Sequence, residues 1–169
     1  MEIRINAQSG GKLPAGNMLT AVQNALKATM AAAKKDAAEK IESRYVRPEI
    51  GTKKLKVSVR GLKGVLKSSG SRNPLEKFEV NPKRRQKKAP PKGIFARVLR
   101  SGGGYIGKGF FKKSGGIFER TGAARFPIRR LKSVSAPGML KVEPVTSYIL
   151  SKLEKNFAEK LSSEVAKML

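Results

Sequence analysis

Between residues 44 and 132 the chain carries 26 lysines and arginines against 4 aspartates and glutamates, a net of +22 within a formal total of +25. Self-repulsion of this size opposes compaction. The segment must therefore hold its charges on exposed faces and loops, answered by a polyanion or by acidic neighbouring proteins. A plainer reading, in which the charge only keeps the chain soluble, stays open. The two flanks together hold 11 basic and 8 acidic residues, a net of +3, which leaves them free to bury amphipathic elements.

A chain of 169 residues fits one domain with a modest core. Its 17 glycines and 9 prolines concentrate between residues 47 and 138, which predicts a sheet with long loops in the middle. There is neither cysteine nor histidine, so disulfides, zinc sites and Cys or His nucleophile–base pairs are excluded. No apolar run approaches the roughly 20 residues of a membrane span. The start, MEIRINAQSGG, carries no signal-peptide core, which predicts a protein made and used in a cytoplasm unless an assembly carries it elsewhere.

The spacing of residues predicts most of the elements. Ile3 and Ile5 alternate with Glu2, Arg4 and Asn6, the pattern of a short strand at residues 1 to 6, and Gln8 to Lys12 reads as a turn. From Asn17, Met18, Leu19, Val22, Leu26, Met30, Ala33, Ala37 and Ile41 recur at helical spacing and predict a helix over 17–44. Its alanine-rich body offers a thin apolar face that suits close packing. Pro48 and Glu49 suit the first turn of a short helix. Strands are predicted at Lys54 to Arg60, Leu62 to Ser69, Leu75 to Val80 and Ile94 to Arg100, with turns at Gly70 to Pro74 and a flexible break at Ser101 to Gly104.

Gly109 to Met139 organises the chain. Gly109 to Phe111 and Ile117 to Arg120 flank Lys112-Lys113-Ser114-Gly115-Gly116, the composition of a hairpin loop, and Phe126 to Val134 adds a third antiparallel strand opening near Pro127. Ser135 to Gly138 reads as a turn. Pro144 then opens a last helix, at about 144–169. Along it Val145, Ile149, Leu153, Phe157, Leu161, Val165 and Leu169 recur every four residues. That step overshoots the 3.6-residue turn by about 40° each time, so the stripe winds round the helix. Phe157, Leu161 and Val165 are therefore candidates for a second surface, on the N-terminal helix or on a neighbouring subunit.

Asn81 to Gly93, NPKRRQKKAPPKG, has six positive charges and no large apolar side chain. It predicts an exposed, extended basic loop that touches a phosphate backbone, threads between subunits or is simply solvated. The candidate contacts are Lys83, Arg84, Arg85, Lys87, Lys88 and Lys92. No aromatic residue lies within the loop, which disfavours base stacking and makes any DNA contact sequence-independent. The glycine runs lack the Lys-Ser/Thr of a phosphate loop.

Catalysis is poorly supplied, with one aspartate, Asp36, inside a helix, and scattered glutamates. No catalytic residue, metal or cofactor is predicted. Two binding classes remain: a sequence-independent nucleic-acid module of ribosomal or chromatin type, and a structural protein of an oligomeric ring through which DNA passes. Stoichiometry discriminates them. A module binds free nucleic acid as a monomer; a ring protein oligomerises or needs a partner.

The alanine-rich helix is followed by Val46 to Ile50, Leu62 to Gly70, Asn73-Pro74-Leu75-Glu76-Lys77-Phe78 and the basic tract. Gly109-Phe110-Phe111, Ile117-Phe118-Glu119-Arg120-Thr121-Gly122, Phe126-Pro127-Ile128, Ala136-Pro137-Gly138-Met139 and a terminal helix complete the order. This order resembles the prophage minor tail protein Z family, the lambda-type tail completion proteins of tailed bacteriophages, over about residues 18 to 169. The resemblance implies a non-enzymatic virion component, assembled in the host cytoplasm, at the head-proximal end of the tail. It also implies an α+β fold arranged as a homo-oligomeric ring, often of six in related neck and terminator proteins. The implied partners are the tail terminator, the head–tail connector and genomic DNA in the lumen, with no membrane. Phe118, Arg120, Pro127 and Ile128 match the family motif and are expected to be structural strand residues. Together these readings predict an α+β fold, mostly antiparallel, with long helices near both termini. Residues 1–16 form an arm or short strand and 17–169 a single domain, with the basic loop at 81–93.

Overall fold

The structure, a computed structural model, describes residues 1–6, 16–88 and 90–167. In chain order its elements are β1 (Glu2–Asn6), α1 (Gly16–Arg44), α2 (Glu49–Thr52), β2 (Leu55–Arg60) and β3 (Lys63–Ser68). There follow β4 (Arg72–Pro74), a 3-10 turn (Leu75–Lys77), β5 (Glu79–Asn81), β6 (Ile94–Leu99), β7 (Gly102–Ile106) and β8 (Gly109–Phe111). The chain continues through β9 (Ile117–Arg120), β10 (Ile128–Arg130), β11 (Lys132–Ser135), α3 (Ala136–Lys141) and α4 (Glu143–Ala166). This is the α+β class, with antiparallel sheets and a long helix near each end. The proposed turn at Gln8 to Lys12 and the last stripe residue, Leu169, lie outside the described residues.

Two compact units divide the chain. One comprises Met1–Ile41, Gly51–Gly70 and Ala136–Leu169; the other comprises Glu42–Ile50 and Ser71–Ser135.

In the first unit β3 is the central strand, paired with β1 on one side and β2 on the other. The register sets Ile3 and Val57 on either side of Leu66, so one face of the sheet is apolar across all three strands. Helix α1 buries Leu26, Met30, Ala33, Ala37 and Ile41, as the helical spacing predicts, and Ala25 beside them, while Leu19 and Val22 are half-buried. Met18, at the start of the stripe, is instead exposed. The thin face matters at Gly64, where a Cβ would stand 2.7 Å from Met30 Cγ and 3.2 Å from Leu26 Cδ1. Helix α4 runs antiparallel to α1, because Lys152 and Asn156 reach Asp36 at 3.4 and 3.5 Å while Glu164 accepts from Asn24 at 3.4 Å. The hydrogen bond to Tyr148, with Asp36 nearby, holds the Lys152 ammonium above the ordinary lysine pKa.

Ser135 to Gly138 is not a turn. Ala136 opens α3, with Ala136, Met139 and Leu140 buried. Pro137 is tolerated in the first helical turn, where a missing N–H costs nothing, so burial of the two large apolar residues decides the conformation. Pro48 stands just before α2 rather than within it. Along α4, Val145, Ile149 and Leu153 are buried, while Phe157, Leu161 and Val165 are half-buried. The stripe thus loses its cover as it winds.

The second unit is built from short antiparallel sheets, β5-β6-β7, β10-β9-β8 and β11-β4, around Leu75, Val80, Ile94 and Ile117. Four sequence expectations change here. The run from Phe126 to Val134 is two strands, because Leu131 redirects its backbone. Its N–H bonds Ile117 O at 2.8 Å while its carbonyl accepts from Leu75 N at 3.0 Å, so the chain leaves β9 and pairs with β4. The supposed turn at Gly70 to Pro74 therefore contains a strand, β4, held also by Asn73 Nδ2 on Val134 O at 3.0 Å. The supposed strand Leu75 to Val80 begins as a 3-10 turn closed by Phe78 N on Leu75 O at 3.0 Å, and becomes a strand only at Glu79.

The fourth change is β7. Ser101 to Gly104 is not a flexible break, since Gly102, Gly103 and Gly104 pair with Leu99, Arg97 and Ala96. Glycine suits this strand for want of space. A Cβ on Gly103 would lie 2.6 Å from Phe95 Cζ and 2.7 Å from Ala96 O.

Candidate functional site

The loop between β5 and β6 carries the predicted cations, and its described residues form neither helix nor strand. Lys83, Arg84, Arg85, Lys87, Lys88 and Lys92 are all exposed. None of them has a hydrogen bond or ion pair among the described residues. Four of the unit's five carboxylates are engaged elsewhere: Glu49 with Arg47, Glu76 with Arg130, Glu119 with Arg129, and Glu79 with Arg97 at 3.7 Å. With 20 basic and 5 acidic residues, this unit is +15 on its own. Unpaired, solvated and clustered on one segment, the loop's cations suit an external polyanion.

The loop is pinned where it returns to the sheet. Gly93 donates its N–H to Pro90 O at 2.9 Å and has φ +81°. A Cβ there would fall 2.4 Å from Ile106 O and 2.7 Å from Gly107 Cα, backbone atoms that cannot swing aside. Gly93→Ala is therefore expected to cost about 2 kcal/mol or more, from left-handed strain and the clash together. Gly61→Ala is its control, because φ is +56° there but nothing lies within 4 Å of the added methyl. Thermal unfolding of both variants checks this, and equal losses would remove the steric role of Ile106.

Two grooves flank the loop. The first, of about 360 Å³, is lined by Pro82, Pro90, Pro91, Lys92, Phe95 and Tyr105 among others. Phe95 and Tyr105 face each other across β6 and β7, with ring centroids 5.3 Å apart and planes at 64°, an edge-to-face pair. Tyr105 is nonetheless 60% exposed. The second groove, of about 320 Å³, brings Arg85, Lys87 and Lys88 to Phe110, Phe111 and Arg120. No carboxylate lines it.

The motif residues sit on the β8-β9-β10 sheet. Phe118 is half-buried, 6.5 Å from the Phe110 ring, with the Lys112 ammonium 5.5 Å from its own. Ile128 lies opposite Arg120 in the register, and the Pro127 carbonyl accepts from both the N–H and the hydroxyl of Thr121 at 3.1 Å. Phe118, Arg120 and Ile128 thus occupy strand positions as expected, whereas Pro127 is not a strand residue: it stands just before β10, its ring leaving no N–H for the ladder. Arg120 has a further place: its guanidinium lies 6.0 Å from the Phe110 centroid and on the wall of the second groove. The fold brings Arg120 to the basic loop but leaves Phe157, Leu161 and Val165 in the other unit.

Sequence reasoning missed Phe95, Tyr105, Phe110 and Phe111 as neighbours of the loop. The available signal was the hairpin register, which sets Phe95 opposite Tyr105 once the glycine run is read as a strand. Among the described residues no helix is long and apolar enough to cross a membrane. Compared with protein-family models, curated proteins and solved structures, the chain matches none of them.

Proposed function

We propose that the chain is a structural component of a bacteriophage virion, a tail completion or neck protein at the head–tail junction. In this reading it finishes the tail and allows it to join the DNA-filled head. The observation that carries it is the loop of six exposed, unpaired cations on a unit in which four of the five carboxylates are engaged elsewhere. A ring of such chains lines a passage for duplex DNA without reading its sequence, because contacts from lysines and arginines to phosphates are indifferent to the bases. The half-buried Phe157, Leu161 and Val165 on α4 support contacts between copies or with the terminator and connector proteins. The order of motifs noted above supports the placement at the tail. No catalytic step is assigned.

The test is the mass of the purified protein at moderate and high salt, with and without duplex DNA. A ring-sized species is the expected result. A monomer that binds duplex tightly, with affinity falling steeply as salt rises, overturns it in favour of a nucleic-acid-binding module. One observation favours that second reading: exposed Tyr105 beside the basic loop.

A further inference from the structure

We infer that the basic loop and its two grooves form a binding track for single-stranded nucleic acid, with a base stacked on Tyr105 and phosphates held by Arg85, Lys87, Lys88 and Arg120. Pro82, Gln86 and Pro90 line both grooves, so the loop is their common wall. A strand that follows the loop meets an aromatic platform on one side and four cations on the other. Both grooves lie at the lower end of the roughly 300–1,000 Å³ that ligand clefts span.

The two walls differ in the chemistry they offer. Tyr105 keeps 60% of its surface in water although its ring is fixed edge-on by Phe95. A ring held this way loses little freedom on stacking and has a face to offer. In the second groove Arg120 is already placed by the Phe110 ring, and nothing acidic competes for it. Duplex DNA satisfies the cations but not the platform, because its bases are already stacked. A flexible single strand satisfies both. An acidic peptide satisfies the cations alone. The inference concerns this unit's surface and stands apart from the ring, since a monomer or a ring can carry it.

The experiment is fluorescence anisotropy with three probes: an oligothymidine of about twelve nucleotides, within the roughly 4–16 of single-strand grooves, an abasic strand of equal length, and a duplex. Oligothymidine is expected to bind about tenfold more tightly than the abasic strand. Tyr105→Ala is expected to remove that advantage while leaving affinity for the abasic strand and the duplex unchanged, and Tyr105→Phe to retain it. Equal binding of oligothymidine and abasic strand by the wild-type protein overturns the inference, as does a Tyr105→Ala loss that is uniform across all three probes. A second measurement needs no variant. The chain has no tryptophan and three tyrosines, of which Tyr45 is buried, so oligothymidine should quench tyrosine emission where the abasic strand does not. Equal quenching by both counts against stacking.

Discussion

Replacing Lys83, Arg84, Arg85, Lys87 and Lys88 together by glutamine is expected to flatten the salt dependence of duplex DNA binding while leaving the fold intact. All five side chains are exposed and have no hydrogen bond or ion pair among the described residues, so their removal opens no cavity and strands no partner. Each phosphate contact contributes roughly 0.9 to the slope of log affinity against log salt, so five contacts contribute about 4 to 5. Over a fourfold rise in salt, the wild-type protein then loses roughly 500-fold more affinity than the variant. Titrations at several salt concentrations measure this directly, with thermal unfolding as the check on folding. An unchanged slope would take the loop off the DNA and assign it to an acidic protein neighbour. In particles that contain the chain, the same variant is expected to impair genome retention or head joining. Stable, filled and fully infectious particles would remove the loop from that role.

The basic loop was legible because charge and proline deny it a core, whatever the surrounding fold. The hairpin of β8 and β9 and the long α1 were legible because local composition and spacing agree with their burial. Where the reading failed, the deciding contact came from another part of the chain. Leu131 ends one strand and begins another because its two backbone groups answer Ile117 and Leu75, far from it in sequence. The glycines of β7 look like a break and are a strand because the Phe95 ring needs the space at Gly103. Ala136-Pro137-Gly138 looks like a turn and is helical because Met139 and Leu140 are fully buried. The aromatic side of the loop was hidden for the same reason: Tyr105 meets Phe95 only through the register of a hairpin that composition argues against. The division into two units was equally hidden, since each is assembled from segments that the other interrupts.

The close seating of α1 on the sheet of the first unit gives the second large effect. Gly64 is buried in the middle strand, and a Cβ there would stand 2.7 Å from Met30 Cγ and 2.9 Å from Met30 Sδ, with Leu26 Cδ1 at 3.2 Å. Met30 and Leu26 are fully buried, so neither has free space to retreat into. Gly64→Val would gain β-propensity worth up to about 1 kcal/mol, yet overpacking of a filled core costs typically 1–3 kcal/mol for smaller insults, and here the helix itself must move. A net loss of about 2 kcal/mol is expected, which for a chain of this length lowers the thermal midpoint by about 4–8 °C. Met30→Ala alone empties the same space and is expected to cost about 2–5 kcal/mol. Combined, the valine occupies part of the volume that the methionine leaves, so the double variant should lose about 1–2 kcal/mol less than the sum of the singles. Simple additivity would mean that Gly64 and Met30 do not share that space, and α1 would then have to meet the sheet through its alanines instead.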